Sequence, residues 1–483
     1  MAELRSADVE IVATPDIVSP PAHKTLVETI EPRLWSVLVL TGLAASLPLV
    51  ATCTMIVTLL QRLFGEAPGK VPFNGKTAIV SGGKMTKSFV LIKQLKAQGC
   101  RVVVVETNKY YMVASRFSNC VDRFVTVPVP EREPDAYVAA MVRLAEEEKA
   151  DIFVPVTSPV ASAHEARLNA ALPSHCFSWS LPPDEVASLD DKVEFCRSAE
   201  ALGLSAPVAH RVCSNAEVVA WNERLGALVE AEPDAKHPRY ILKNLQYDAM
   251  HRIDLFTLPC AAAKLEAYLS DPTITIDAVN PWTVQTFIVG DEYSTCAIAK
   301  DGKLLAFTDN AACLSCFNYL PARNDKLREW VASFVAARRL SGVACFDFIV
   351  GADGVPYAIE CNPRASSNIA SFYNHKGLGA VLANPEATPF NATVEPLPGV
   401  VETYWLFSEV WAALSKPSLS SFSAVLDALL HKKDAYYDAC DPLPSLALLY
   451  VHLPTLLARN IWEGNNWAKI DPCIGKMTEE NGD

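Results

Sequence analysis

The segment FDFIVGADGVPYAIECNPRASSN, Phe346 to Asn368, sets the tightest limit on the fold. It alternates like two strands around Asp353-Gly354, a dipeptide that tolerates positive φ and favours a short hairpin turn. If the turn centres there, Asp347 and Glu360 face each other across the strands, with Cβ atoms about 5 Å apart. Asn362 follows two residues on, on the same face. Like charges directly opposite are destabilising, and two buried acids this close would have to share a proton. The flanking Phe346, Phe348, Ile349, Val350 and Ile359 argue against a solvated surface hairpin. A divalent cation resolves the conflict. Two carboxylates and an amide oxygen form an incomplete oxygen shell suited to Mg²⁺, with Mn²⁺ as an alternative.

The strands before this hairpin alternate with helices. TAIVSGG, RVVVVET, RFVTVPVP and DIFVPVTS read as buried strands, and MTKSFVLIKQLKAQGC and PDAYVAAMVRLAEEEK as amphipathic helices. That order predicts a doubly wound parallel sheet over 76–181, with the SGGKMTK and VTSPVAS loops at the ligand-binding strand ends. SGGKMTK has neither the P-loop spacing nor the dinucleotide fingerprint, so a dehydrogenase is not supported. From 182 to 385 the pattern changes to antiparallel strands with helices, an α+β domain. DDKVEFCRSAEALGL starts it as a capped helix with Asp190 and Asp191 at its N-terminus. APVAHRV, RYILKN, WTVQTFIVG, EYSTCAIAK and KLLAFTD are its strands, with a turn at Asp301-Gly302. Residues 386–483 read as a helical extension. LPSLALLYVHLPTLLARN within it is expected to form a second apolar surface.

The ends differ from this body. Residues 1–33 are polar and lack periodicity, which predicts disorder. The 34–62 segment contains 27 uncharged residues, Leu34 to Leu60, long enough to cross a bilayer. Pro48 leaves three readings open: a single span, a bent membrane hairpin, or a helix packed on the body. A stretch this apolar favours membrane attachment, and Arg62, Lys70 and Lys76 after it place the C-terminal body on the cytosolic side, the alternative being a cytoplasmic protein. The Asn391 sequon would then be silent. A net charge of −13 disfavours a nucleic-acid partner but leaves room for a small anionic ligand. The 14 cysteines suit buried free thiols in a reducing compartment, and the lone pair Cys313 and Cys316 is weak evidence for zinc.

Further residues complete a constellation. Lys192 follows the aspartate pair, Lys243 closes an apolar strand where a charge is costly, and Gln285, Phe287 and Glu292 lie in WTVQTFIVGDEYS. Two lysines, a hinge strand and an acid/acid/amide hairpin are what an ATP–Mg²⁺ site requires.

In this order DDK, ILKN, VQTFIVGDEYS and FDFIV…AIECNPR resemble the ATP-grasp superfamily of ligases, from about Lys76 to Asn374. The resemblance implies an ATP-grasp fold behind a Rossmann-like pre-ATP-grasp domain, with an N-terminal hydrophobic helix and a C-terminal helical extension. It implies ATP phosphate contacts by Lys192 and Lys243, an adenine hinge at Gln285 and Phe287, and Glu292 near the ribose. It further implies metal binding by Asp347, Glu360 and Asn362, and a catalytic Arg364 holding a phosphorylated intermediate. NLQYDAMHRIDLF departs from the glycine-rich phosphate lid of many members and points to His251 or Arg252 instead. ETNKYY, RFSNCVDRF, VPVTSPVAS, YDAMHRIDL, AIECNPRASSNIASFYNH and KIDPCIGKM are similar to the mycosporine-glycine synthetase branch. That branch implies joining glycine to 4-deoxygadusol, with Ser366, Ser367 and the SGG and VTSP loops shaping the acceptor pocket. Two rivals stand beside it: a dipeptide-type carboxylate–amine ligase, and a membrane-tethered nucleotide-binding protein without catalysis.

Overall fold

A computed structural model of the chain describes residues 32–64, 71–156, 161–246, 254–312, 317–386, 392–463, 467–471, 473 and 475–479. The expected disorder of 1–31, the lid residues His251 and Arg252, the Cys313/Cys316 pair, the Asn391 sequon and Thr157 to Pro159 of the VTSP loop fall outside the described residues.

The chain begins with helix α1 (Pro32–Phe64), which runs through Pro48 as one element. The bent-hairpin reading is therefore not adopted, and Pro32 and Arg33, expected in the polar tail, belong to the helix. A parallel sheet follows: β1 (Thr77–Val80), β2 (Arg101–Thr107), β3 (Arg123–Val127), β4 (Ile152–Val154) and β5 (Phe177–Ser178), in the order β3-β2-β1-β4-β5. β1 and β4 are buried throughout, as a sheet covered on both faces demands. Helix α2 (Thr86–Ala97) follows β1, and α3 (Pro134–Glu147) starts on a proline pre-set for a first turn. The order reverses between β1 and β4. The two loops there are stitched by Ser81 N to the Val154 carbonyl, 3.2 Å, and Val156 N to Ser81 Oγ, 2.9 Å.

Two antiparallel sheets make up the next region. Helix α4 (Lys192–Ala201) precedes a sheet of order β6-β9-β7-β8, from β6 (Ala209–Val212), β7 (Tyr240–Asn244), β8 (Thr257–Leu258) and β9 (Trp282–Thr286). Its own core packs around Leu242, Trp282 and Val284 and includes Leu225 of α5 (Asn215–Ala231). The second sheet has the order β11-β10-β12-β13, from β10 (Gly290–Lys300), β11 (Lys303–Ala311), β12 (Gly342–Gly351) and β13 (Pro356–Asn362). α6 (Asp325–Arg338) and α4 cover one face through Phe195, Trp330, Phe334 and Phe346. The other face joins the parallel sheet in one core that includes Cys296, Cys345, Val80 and Leu382 of α7 (Lys376–Ala383). The hairpin is thereby anchored to the first domain.

Two Asp-Gly turns behave differently. Asp301 and Gly302 both take positive φ, 50° and 78°, between paired Lys300 and Lys303, which is the expected two-residue turn. At the second, only Gly354 has positive φ and Val350 pairs with Pro356, so the turn is one residue longer than expected. A bulge between Asp347 and Phe348 restores the register, and Asp347 still faces Glu360. The expected pairing is reached through two compensating irregularities.

The C-terminal region is partly corrected. The segment expected as an apolar surface is helical but turns inward, burying Leu448, His452, Leu453, Leu456 and Leu457 against Leu43 of α1. The exposed apolar helices are instead α8 (Leu406–Ser415) and α9 (Leu419–His431), with Leu414, Leu419, Phe422, Leu426 and Leu430 in solvent. The helix α10 (Leu453–Glu463) leads into a strand pair, Trp467–Asp471 and Lys476–Glu479. This pair returns to the parallel domain. Cβ on Gly475 would lie 2.3 Å from the Lys84 carbonyl, an approach only glycine allows.

Candidate functional site

The β12–β13 hairpin holds Asp347, Glu360 and Asn362 on one face, in contact. Asn362 Nδ2 donates to Asp347 Oδ2 at 3.1 Å and to Glu360 Oε1 at 3.5 Å. Ser294 of β10, opposite Asp347, donates its hydroxyl to Oδ1 at 2.6 Å. Lys192 reaches the hairpin because Asp191 caps α4, accepting from Val193 N and Glu194 N, and so sets Lys192 in the first turn. Its Nζ lies 3.4 Å from Glu360 Oε2. Asp190 is not a cap as expected. It ends the preceding helix and sits 3.7 Å from Arg364 Nη1. Arg364 donates its Nη2 to Asn362 Oδ1.

The charges are unevenly served. Burial first, and then the facing Glu360, pushes Asp347 up to about 8. Burial also works against ionised Glu360, but Lys192 and Lys243 outweigh it and hold that carboxyl below the ordinary range. Lys243 lies on β7 beside β9, so both lysines act on the same acid from different elements. Gln285 is buried on β9 and donates Nε2 to the Ile359 carbonyl at 3.2 Å, tying the two antiparallel sheets together. Phe287 follows β9 in a short non-strand link to β10, held by its N–H on the Arg239 carbonyl at 2.8 Å. Glu292 stands exposed on β10, at the open end of the same sheet. Of the nine residues expected from the sequence, Lys192, Asp347, Glu360, Asn362 and Arg364 are joined by direct contacts, and Lys243 acts on Glu360 through its charge. Gln285 bonds the Ile359 carbonyl beside Glu360, Glu292 adds negative charge near Asp347, and Phe287 is held by Arg239 in the β9–β10 link.

Among the described residues no group of three or more His, Cys, Asp or Glu gathers as a metal cluster. The hairpin offers two carboxylates and an amide, hard oxygen donors of the kind Mg²⁺ takes when phosphate and water complete its shell. The upward push on Asp347 from burial and the facing Glu360 is of the kind a bound cation reverses. Asn362 presents its amide nitrogen to both acids, so a cation there requires the amide to turn over and Arg364 to give up Oδ1.

Sequence reasoning missed three neighbours. The β10–β12 register would have pointed to Ser294. Asp190 looks like part of the α4 N-terminus in sequence, and only the fold brings it to Arg364. Lys87, on α2, donates Nζ to the Ala365 carbonyl beside Arg364, a contact across 278 positions that no local pattern signals.

No known family model matches the sequence, and no curated protein matches it. Solved structures do. The chain is similar to N5-carboxyaminoimidazole synthetase from Staphylococcus aureus in complex with ADP, with a TM-score of 0.48 and 13% identity, over 67% of this chain and 80% of that one. It is similar to L-amino acid ligase from Bacillus licheniformis, with a TM-score of 0.42 and 15% identity, over 65% and 71%. A third is a biotin carboxylase–ATP complex from Campylobacter jejuni, with a TM-score of 0.46 and 14% identity, over 65% and 72%.

Proposed function

We propose that the chain is an ATP-dependent ligase of the ATP-grasp type that forms a C–N bond. The observation that carries this reading is the facing pair Asp347 and Glu360, with Lys192 and Lys243 acting on one acid and Arg364 closing the row. Lys192 and Lys243 bind the ATP phosphates, Gln285 and Phe287 border the adenine, and Glu292 meets the ribose. Asp347, Glu360 and Asn362 would hold Mg²⁺, which supplies charge neutralisation for phosphoryl transfer. The acceptor oxygen attacks the γ-phosphorus, the bond to the bridging β,γ-oxygen breaks and ADP leaves. Arg364 holds the phosphorylated acceptor. The amine then bonds to the activated carbon, the C–O bond to phosphate breaks, and the amine proton passes to solvent.

The acceptor favoured by the sequence motifs is 4-deoxygadusol, whose enol behaves as a vinylogous acid, with glycine as the amine and mycosporine-glycine as the product. The test is phosphate release by the purified chain with ATP, Mg²⁺ and glycine, with and without 4-deoxygadusol, alongside absorbance of the enaminone. Acceptor-dependent release with the new chromophore supports the full reading. Release only with a carboxylate and an amine moves it to a dipeptide-type ligase, and no ATP turnover with any pair overturns it.

A second observation favours attachment of this enzyme to a lipid surface. α1 is 33 residues long, about 50 Å, against about 30 Å of bilayer hydrocarbon. Trp35 of α1 meets Trp411 of α8 edge-on at 5.6 Å, so the apolar helix is continuous with the exposed faces of α8 and α9. The full chain is expected to float with phosphatidylcholine vesicles. A variant with Leu419, Phe422, Leu426 and Leu430 changed to serine should float less. Full-length protein that stays at the bottom of the gradient overturns the attachment.

A further inference from the structure

Behind the hairpin, the parallel domain packs against the residues after β13. The first turn of α2 forms one side of this seam. Thr86 N donates to the Cys473 carbonyl at 3.1 Å, and Cys473 Sγ lies 2.7 Å from Ser367 Oγ, so the C-terminal strand pair closes one side. Cys345 Sγ bonds the Arg364 carbonyl at 2.9 Å and closes another. Lys87, only 6% exposed, is buried in this seam. Its Nζ donates to the carbonyl of Ala365, one peptide from Arg364.

Lys87 has no acidic partner among the described residues. The groups that favour its charge are the thiols of Cys345, Cys473 and Cys296, while Arg364 opposes it. Arg364 is itself short of partners. Its Nη1 is buried without a hydrogen bond, and its nearest acid, Asp190, stands off at 3.7 Å. Two cations on separate domains thus converge with the half-exposed Asp190 near Arg364 and no acid on Lys87 among the described residues, although buried charges are ordinarily paired. Three residues earlier, Lys84 is equally buried and does have one: Glu106 at 3.4 Å. The imbalance belongs to the Lys87 position, not to this loop as a whole.

We infer that Lys87 and Arg364 together bind a small oxyanion, the ionised carboxylate or enolate of the acceptor, at the seam between the parallel domain and the hairpin. This assignment rests on the ligase reading and makes Lys87 an acceptor-binding residue. It places the anionic oxygen beside the phosphorylating end of the nucleotide site. An anionic acceptor offsets both charges, and a neutral one does not.

The test is calorimetric binding of inorganic phosphate, a tetrahedral oxyanion, to the full chain in saturating Mg-ADP. Wild type, Lys87→Met and Lys87→Arg are compared, with circular dichroism verifying the fold. Loss of one charged contact predicts about tenfold or more weaker phosphate binding in Lys87→Met. Lys87→Arg should retain most of it, and Mg-ADP affinity should stay within about twofold for all three. Equal phosphate binding in wild type and Lys87→Met overturns the inference. So does a parallel loss of Mg-ADP affinity, which would make Lys87 a scaffold for the 362–367 loop. If wild type binds no Mg-ADP, the ligase reading fails, while the phosphate comparison without nucleotide still decides the role of Lys87.

Discussion

The acidic face of the β12–β13 hairpin and the basic seam behind it carry opposite imbalances, separated by a few residues of chain. On the hairpin, Asp347 and Glu360 face each other, Lys192 and Lys243 both act on Glu360, and burial with the facing acid pushes Asp347 up to about 8. At the seam, Lys87 meets thiols and a carbonyl where an acid would be expected, and Arg364 has its nearest acid, Asp190, at 3.7 Å. A folded chain gains nothing in stability from either arrangement. Each makes sense as half of a site whose other half is a ligand: a cation in the first, an anion in the second. The nearby Lys84–Glu106 pair shows what the same loop looks like when charge is used for structure.

The strongest way to break this comparison is to remove the surplus acid. Asp347→Asn should lower ATP turnover by about a thousandfold, ~4 kcal/mol of barrier, as for loss of a group that organises transition-state charge. Its melting temperature should hold or rise, because a like-charge contact is gone. A melting temperature that falls with activity would make the acid structural. The paired lysine should behave in the opposite way. Lys84→Met should cost about 3 kcal/mol in denaturant unfolding, the low end for a broken buried pair. The reason is that Glu106 keeps the Lys84 and Thr107 backbone amides, each at 2.8 Å. Lys87→Met, measured beside it at neutral pH, should cost far less or stabilise.

The buried Lys87 also predicts a pH dependence. Burial, with Arg364 adding to it, lowers Lys87 to about 8 from 10.5. Between those values the unfolded chain binds the proton and the folded chain does not, so stability rises with pH. The cost is fully present below pH 8 and gone above 10.5. Wild type should therefore gain on Lys87→Met by up to about 3 kcal/mol across that window in denaturant titrations. Parallel curves for the two proteins would remove the charge imbalance. The smallest effect is at Ser294. Ser294→Ala removes one hydroxyl bond to Asp347 and should weaken Mg-ADP binding by about five- to tenfold, ~1 kcal/mol, with unfolding nearly unchanged.

Much of this site is legible in the chain because its parts are local. Alternation and the Asp353-Gly354 turn place Asp347 opposite Glu360. Yet the real turn is longer and a bulge makes up the difference, so the face was right and the turn geometry was not. The apolar runs of β1, β2 and β4 announce a parallel sheet, since a strand buried on both faces has no polar side to show. In the C-terminal region apolar composition alone misled. The segment around Leu448 to Leu457 is buried and α8 and α9 are not, because which helix faces inward depends on what packs against it.

The sequence by itself determined that two acids, an amide and an arginine share one hairpin, that helices and strands alternate before it, and that a long uncharged helix leads the chain. Only the tertiary structure decided that Asp190 turns from cap to neighbour of Arg364, that Asn362 shows its nitrogen to the acids, and that Lys87 meets Ala365 across 278 positions. Strand register and helix capping are set over a few residues, where side-chain alternation and backbone hydrogen bonding leave few choices. The pairing of charges between domains is set by how whole sheets and helices stack, and no local pattern carries that information.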